Sequence, residues 1–340
     1  MESVWMAGNP AVKNIFPFIG TPGIKQYMPE TEPIDYFNLL FNAEFFSLLL
    51  TCTNANGEKT KRNAHHPNAR FRRWKNVTVE ELKVFIGVIL LMGIIKLNRI
   101  SDYWSKHYLL DVNFSNYMSR NKFFLILRAL NVQTLPGNQS LNKVHTLIEM
   151  FNKTMENLYY PTKEMAIDES LILWKGRLRF RQYIKNRAHK YGIKLYMLAD
   201  HHGICLKIHL YAGSQDLTVG GRDHVKKVIR LLVANYLNNG HSLYVDNYYS
   251  SVDIAEELLN KKMHVTGTLN FNRKGNPKQV INARLQPTEA CIMHNNKNIT
   301  VTKWRDKREV AFISTAHDSQ YIETRNKYGN MSFKPAVQVK

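Results

Sequence analysis

The stretch from Lys163 to Asp200 constrains this chain more than any other. Its Asp168 follows Met165-Ala166-Ile167 and precedes Leu171-Ile172-Leu173, so a carboxylate sits inside a strand-like apolar run. Aspartate is a poor strand residue, and a desolvated carboxylate is costly unless something positive meets it. A salt-bridged or turn aspartate meets that demand. So does a ligand of a hard divalent cation, which prefers oxygen donors. Just downstream lie Lys175, Arg177, Arg179, Arg181, Lys185, Arg187, Lys190 and Lys194, with no acidic residue among them. Arg177, Arg179 and Arg181 alternate, so on a strand they would share one face. Solvated faces usually mix signs, and a single-sign run of this kind points to a polyanion.

A second acid gives the first its meaning. Leu243 to Val245 reads as a short buried strand that ends on Asp246 and Asn247. Between the two acids, Tyr191 to Ala199 alternates, with Ile193, Leu195, Met197 and Ala199 on one face. Asp200 to Gly203 is a turn, and Ile204, Leu206, Ile208 and Leu210 repeat the alternation. A helix follows, with Val225, Val228, Ile229, Leu232, Val233 and Tyr236 at helical spacing and Gly240 as its stop. After Asp246 a second helix begins near Ser250-Ser251, and His264 to Leu269 reads as a last strand. The order β-β-β-α-β-α-β, with one acid on the first strand and one at the end of the fourth, is that of a ribonuclease-H-like fold. In that fold, acids on neighbouring strands jointly hold two divalent metals for phosphodiester chemistry.

These residues resemble the piggyBac transposases and the piggyBac transposable element-derived proteins. The likeness rests on AIDESLILWKGRLRFRQYIKNRAHKYGIKLYMLAD, on YVDNYYSS, and on TVEELKVFIGVILLMGI and MSRNKFFLILRALNV upstream, and it runs from about residue 33 to residue 340. It implies a DDD-type DNA nuclease of the cut-and-paste kind acting at TTAA sites with Mg²⁺ or Mn²⁺. It also implies a nuclear location, transposon-end DNA as partner, and a homodimer. Asp168 and Asp246 fall on the first two of the family's three catalytic aspartates. The third is expected in a segment beyond Lys340, so the resemblance leaves two classes open: a transposase, inactive as an isolated 340-residue chain, or a domesticated DNA-binding derivative without catalysis. A ribonuclease-H-like nuclease of other specificity is a weaker third.

Composition agrees with a nucleic-acid partner. The chain carries 47 Lys+Arg against 27 Asp+Glu, a formal charge of +20, which favours fast, salt-sensitive association with polyanions. The longest apolar run, Val84 to Ile95, is too short to span a bilayer, so a buried helix is expected there and no membrane partner. Cys52, Cys205 and Cys291 are isolated, which argues against a disulfide framework or a CxxC zinc site.

The expected architecture is an α+β multidomain chain: an extended arm over 1–32, an all-α dimerisation and DNA-binding domain over 33–162, a ribonuclease-H-like α/β catalytic core over 163–269, and the start of a β-rich insertion over 270–340. Within the helical domain, Asn42 and Thr78 read as N-caps, the latter in a capping box with Glu81. The following helix is expected to bury Leu82, Phe85, Ile86, Ile89 and Leu90. The polar stretch Asn54 to Lys75 reads as a loop. Arg70, Arg72 and Arg73, interleaved there with Phe71 and Trp74, suit either solvent or a DNA surface that uses arginines and aromatic rings together.

Overall fold

The computed structural model describes residues 4–10, 12–28, 32–107, 109–110, 112–133, 141–185, 190–214, 216–325 and 331–339. The chain divides into two compact units, Met28–Thr154 and Met1–Tyr27 together with Met155–Lys340. No helix among the described residues is long and apolar enough to cross a membrane.

The first unit is helical: α1 (Pro33–Leu40), α2 (Ala43–Arg62), α3 (Val79–Ile94), α4 (Arg120–Ala129) and α5 (Asn142–Leu158), the last running on past the division. Local sequence starts three of these. The Asn42 carboxamide oxygen accepts from Phe45 N–H at 2.9 Å, and Ser119 Oγ accepts from Lys122 N–H at 3.3 Å. Thr78 and Glu81 close a reciprocal capping box, with Glu81 N–H to Thr78 Oγ1 at 3.2 Å and Thr78 N–H to Glu81 Oε2 at 3.1 Å.

The core of this unit differs from the expected one in two places. Helix α2 continues through Asn54 to Arg62, where a loop was expected, and Phe71 and Trp74 are buried rather than offered to DNA. They stack on each other with centroids 5.8 Å apart, and α2 admits the indole only because residue 57 is glycine. Burial of two large rings outweighs the basic composition around them, each fully buried apolar side chain contributing about 1.5–3 kcal/mol. On α3, Leu82, Phe85 and Val88 are buried while Ile89 and Leu90 are exposed.

The second unit is built on a ten-stranded mixed sheet. Its strands are β1 (Trp5–Ala7), β4 (Glu164–Leu173), β5 (Gln182–Tyr183), β6 (Tyr191–Asp200), β7 (Cys205–Leu210), β8 (Ser242–Val245), β9 (His264–Leu269), β10 (Ala290–Asn295), β11 (Thr300–Arg305) and β12 (Glu309–Ser314). Two small sheets flank it: β2 (Gly23–Ile24) with β3 (Tyr159–Tyr160), and β13 (Tyr321–Arg325) with β14 (Met331–Pro335). The helices are α6 (His224–Val233), α7 (Val252–Asn260), α8 (Lys278–Asn282) and α9 (Ala336–Val339). Helix α6 stops at Val233, short of the Gly240 expected to end it, and a 3-10 turn over Ala234–Tyr236 completes the segment.

The middle of the sheet runs β7-β6-β4-β8-β9, with β6 antiparallel to both β7 and β4, and β8 parallel to both β4 and β9. This large mixed sheet is in keeping with the ribonuclease-H-like layout. Met165 and Ile167 of β4, Tyr196 and Leu198 of β6, Leu243 and Val245 of β8, and Val228, Leu232, Ile254 and Leu258 of α6 and α7 make one buried cluster. Tyr196 and Leu198 of β6 therefore join this core, while of Ile193, Leu195, Met197 and Ala199, which alternate on one face, only Leu195 is buried. Lys194 and Tyr196 mask the pattern: an amphipathic tyrosine packs in the core as well as an aliphatic residue does.

Residues 290–314 add β10, β11 and β12 to the same sheet through antiparallel pairing of β12 with β9, so they extend it rather than form a separate body. The N-terminal arm is extended, as its prolines suggest, and it is strapped to this unit. Strand β1 pairs with β10, Lys13 Nζ donates to Thr300 Oγ1 at 2.7 Å, and Gly240 (φ +76°) lets the Pro17 backbone pass close by. Burial lowers the Lys13 ammonium to about 8, partly offset by the Asp318 carboxylate.

Candidate active site and nucleic-acid interface

Strands β4 and β8 bring the two acids together. Their parallel register pairs Glu164 with Ser242 and ends on Ile167 with Val245. One residue beyond this last pair stand Asp168, midway along β4, and Asp246, just past the end of β8. Ile167 and Val245 are buried, but both aspartates are exposed. The strand ends here for a local reason. The Asp246 carboxylate folds back to accept Tyr248 N–H at 2.9 Å, and its carbonyl accepts from Tyr249 N–H and Ser250 N–H, both at 3.2 Å. That turn feeds α7, which Ser251 caps by accepting from Ile254 N–H at 3.2 Å. On β4, Asp168 Oδ1 accepts the N–H of Glu169 at 2.8 Å. One oxygen of each carboxylate is thus tied to backbone beside it.

The other face of β4 carries residues that the sequence alone did not single out. Glu169 lies opposite Tyr196 across the β4–β6 pair. Tyr249, fully buried, donates its hydroxyl to Glu169 Oε2 at 3.1 Å. The Tyr196 hydroxyl is 2.7 Å from His224 Nε2, whose Nδ1 is 2.6 Å from the Val219 carbonyl oxygen. Burial raises the hydroxyl pKa of both Tyr196 and Tyr249 well above the usual range, and nearby Tyr248 and Glu169 respectively push them the same way. Both stay protonated and serve as donors. The Lys194 ammonium lies over the Tyr196 ring at 4.6 Å and the Tyr248 ring at 5.2 Å. Arg273 donates to the Tyr248 and Asn247 carbonyls, fastening the turn after Asp246 from the far side. Short-range patterns carry no signal for these pairings, since Glu169 and Tyr249 are 80 residues apart.

Two exposed carboxylates side by side, each with one oxygen fixed, suit a hard divalent cation by the chemistry of their donors. Among the described residues, no group of three or more His, Cys, Asp or Glu side chains converges as a metal site.

The basic residues fall into two sets. In the helical unit, Arg70, Arg72 and Arg73 are exposed on a 3-10 helix, Arg70–Arg73. In the sheet unit, Lys175, Arg177, Arg179, Lys185 and Lys190 are exposed, while Arg187 lies outside the described residues. Arg177, Arg179 and Arg181 do not lie on a strand, so their alternation gives them no common strand face. Residues 174–181 are irregular, and Arg181 is withdrawn from the set: its Nη1 donates to the Lys175 and Gly176 carbonyls, each at 3.2 Å, and its guanidinium covers the Tyr191 ring at 4.5 Å.

Comparison with known proteins bears on this geometry. A family model described as Transposase IS4 matches residues 32–339. The chain belongs to the piggyBac transposase family. Human PiggyBac transposable element-derived protein 5 is 20% identical over 334 residues, covering 91% of this chain and 62% of the relative. Human PiggyBac transposable element-derived protein 2 is 22% identical over 330 residues, covering 91% of this chain and 52% of the relative. The chain thus spans between half and two thirds of these family members. Its fold matches that in the cryo-EM structure of a piggyBac transposase synaptic complex with hairpin DNA, with a TM-score of 0.80 at 23% identity, over 94% of this chain and 67% of that one.

Proposed function

We propose that this chain is the DNA-binding and metal-holding portion of a DDD-type cut-and-paste transposase acting at TTAA-flanked element ends. The observation that carries this reading is the β4–β8 register, whose last pair, Ile167 with Val245, is followed by the exposed Asp168 and Asp246. These two carboxylates would hold Mg²⁺ or Mn²⁺. Such ions, when bound, supply activation of an attacking oxygen and stabilisation of a leaving one. Lys175, Arg177, Arg179, Lys185 and Lys190 would neutralise phosphates of the bound DNA, and Arg187 belongs to the same run. Arg70, Arg72 and Arg73 would give the helical unit, Met28–Thr154, a second contact with DNA in a homodimer working in the nucleus.

Two carboxylates fall short of a two-metal site, which needs a further ligand, and loss of one ligand removes most of the rate. As a 340-residue polypeptide the chain is therefore expected to bind DNA without cutting it. The test is incubation with TTAA-flanked ends and Mg²⁺ or Mn²⁺, alongside a gel-shift assay. Retarded DNA with no nick is the expected result. A 3′ nick that disappears in Asp246→Asn would overturn the non-cutting reading, and no retardation at moderate salt would overturn DNA binding.

A further inference from the structure

The two carboxylates sit on different strands, and β8 breaks off just before Asp246. Their separation is therefore not maintained by the sheet ladder, whose last rung is Ile167 with Val245. Something must hold the turn that follows. That turn is a rigid unit, because Tyr248 N–H binds the Asp246 carboxylate and Tyr249 N–H binds the Asp246 carbonyl. A fastening applied to Tyr249 is thereby a fastening applied to Asp246.

We infer that the Tyr249 hydroxyl and the Glu169 carboxylate form a positioning latch that holds the Asp246 turn against the β4 segment bearing Asp168. Glu169 follows Asp168 directly, and its N–H binds the Asp168 carboxylate at 2.8 Å. The 3.1 Å bond from Tyr249 to Glu169 completes a chain of hydrogen bonds running Asp168, Glu169, Tyr249, Asp246. Successive residues of β4 point to opposite faces, so the latch works from the core side while the two aspartates face outward. Burial supports this: Tyr249 is 0% exposed, and its ring is held edge-on by Tyr248 at 5.0 Å and by Tyr196 at 6.4 Å. A donor fixed in this way has no alternative orientation. Glu169 is then a positioning residue whose role is to accept a hydrogen bond. A metal ligand at this place would need its charge; a latch needs only an acceptor oxygen.

This inference rests on the two-carboxylate reading above, and the experiment separates the two. Mn²⁺ alone is titrated into the full 340-residue chain and its variants, with binding followed by Mn²⁺ electron paramagnetic resonance. Tyr249→Phe, which removes one oxygen and keeps the ring, should weaken Mn²⁺ binding by about tenfold, the scale of lost outer-shell support. Glu169→Gln keeps an acceptor and should stay within about twofold of wild type, whereas Glu169→Ala should match Tyr249→Phe. The doubly changed Tyr249→Phe, Glu169→Ala chain should be no weaker than the worse single variant, since the two act as one unit. Tyr236→Phe, in the same buried cluster, controls for general loss of core stability and should leave Mn²⁺ binding unchanged. Wild-type affinity in Tyr249→Phe, with binding lost in Asp168→Asn, overturns the latch alone. Glu169→Gln as damaging as Glu169→Ala assigns the charge a direct role and also overturns it. No Mn²⁺ binding by wild type overturns the carboxylate reading and the latch with it.

Discussion

The backbone N–H of Phe16 donates to His264 Nε2 at 3.2 Å, and the two rings stack with centroids 5.0 Å apart. The arm thus reads one buried imidazole in one tautomer. Nε2 accepts, so the ring proton sits on Nδ1, which faces Thr315 Oγ1 at 3.3 Å. Burial, reinforced by Lys163, Lys13 and His317, lowers the His264 pKa from 6.5 to about 4. Buried His241, which Phe18 meets edge-on at 4.9 Å, is shifted the same way by burial.

The unfolded chain takes up a proton on His264 near pH 6.5, and the folded chain only near pH 4. Stability from this group is complete above pH 6.5 and is lost as the pH falls towards 4, by about 3 kcal/mol. Urea unfolding between pH 7 and 4.5 should show the midpoint falling steeply, and His264→Gln should flatten that fall. An equally steep fall in the variant would assign it to other groups.

What the sequence discloses and what it hides separate by range. The Thr78–Glu81 box and the Asn42 cap are written within four residues, and both form. Asp168 and Asp246 draw notice because each interrupts or ends an apolar run, but both are exposed, so the desolvation cost expected of such a charge does not arise here. The rest depends on partners far along the chain. Phe71 and Trp74 sit among arginines, and only the glycine at position 57 on α2 makes a berth for the indole. The alternation of Arg177, Arg179 and Arg181 is real in sequence, but Arg181 finds two carbonyls and a tyrosine face before it finds solvent.

Gly57 sets two effects against each other. In an exposed helix interior, Gly→Ala gains about 1 kcal/mol. Here the added methyl would overlap the buried Trp74 ring, and overpacking costs about 1–3 kcal/mol. Trp74 is 2% exposed and stacked on Phe71, so it has little room to yield. Gly57→Ala should therefore destabilise the helical unit, seen as a lower urea midpoint by tryptophan fluorescence. A raised midpoint would show that the indole shifts freely.

The arginines divide by role. Arg177 and Arg179 are exposed and suited to phosphate, whereas Arg181 holds its own loop. Changing Arg177 and Arg179 to Glu should weaken duplex binding and flatten the plot of log affinity against log salt, by about 0.9 for each phosphate no longer neutralised. Arg181→Ala should instead open the segment after Lys175 to limited proteolysis while the salt slope stays near that of wild type. An equal flattening in both would place Arg181 on DNA.

The paired aspartates predict an inversion of stability order. Without metal, two like charges at adjacent register positions repel, and Asp168→Asn removes one while its amide oxygen can still accept the Glu169 N–H. The variant should melt slightly above wild type in EDTA. Mn²⁺ binds the folded chain only, so at a hundred times its dissociation constant it should stabilise wild type by about 2.7 kcal/mol and leave the variant unmoved. Wild type then melts above the variant, and the two curves exchange places on adding metal. General electrostatic screening by Mn²⁺ would raise or lower both together, and Mg²⁺ at matched ionic strength provides a second ligand of the same charge. A variant that melts below wild type in EDTA, with both proteins indifferent to Mn²⁺, would make Asp168 a structural aspartate whose hydrogen bond to its own strand outweighs the repulsion.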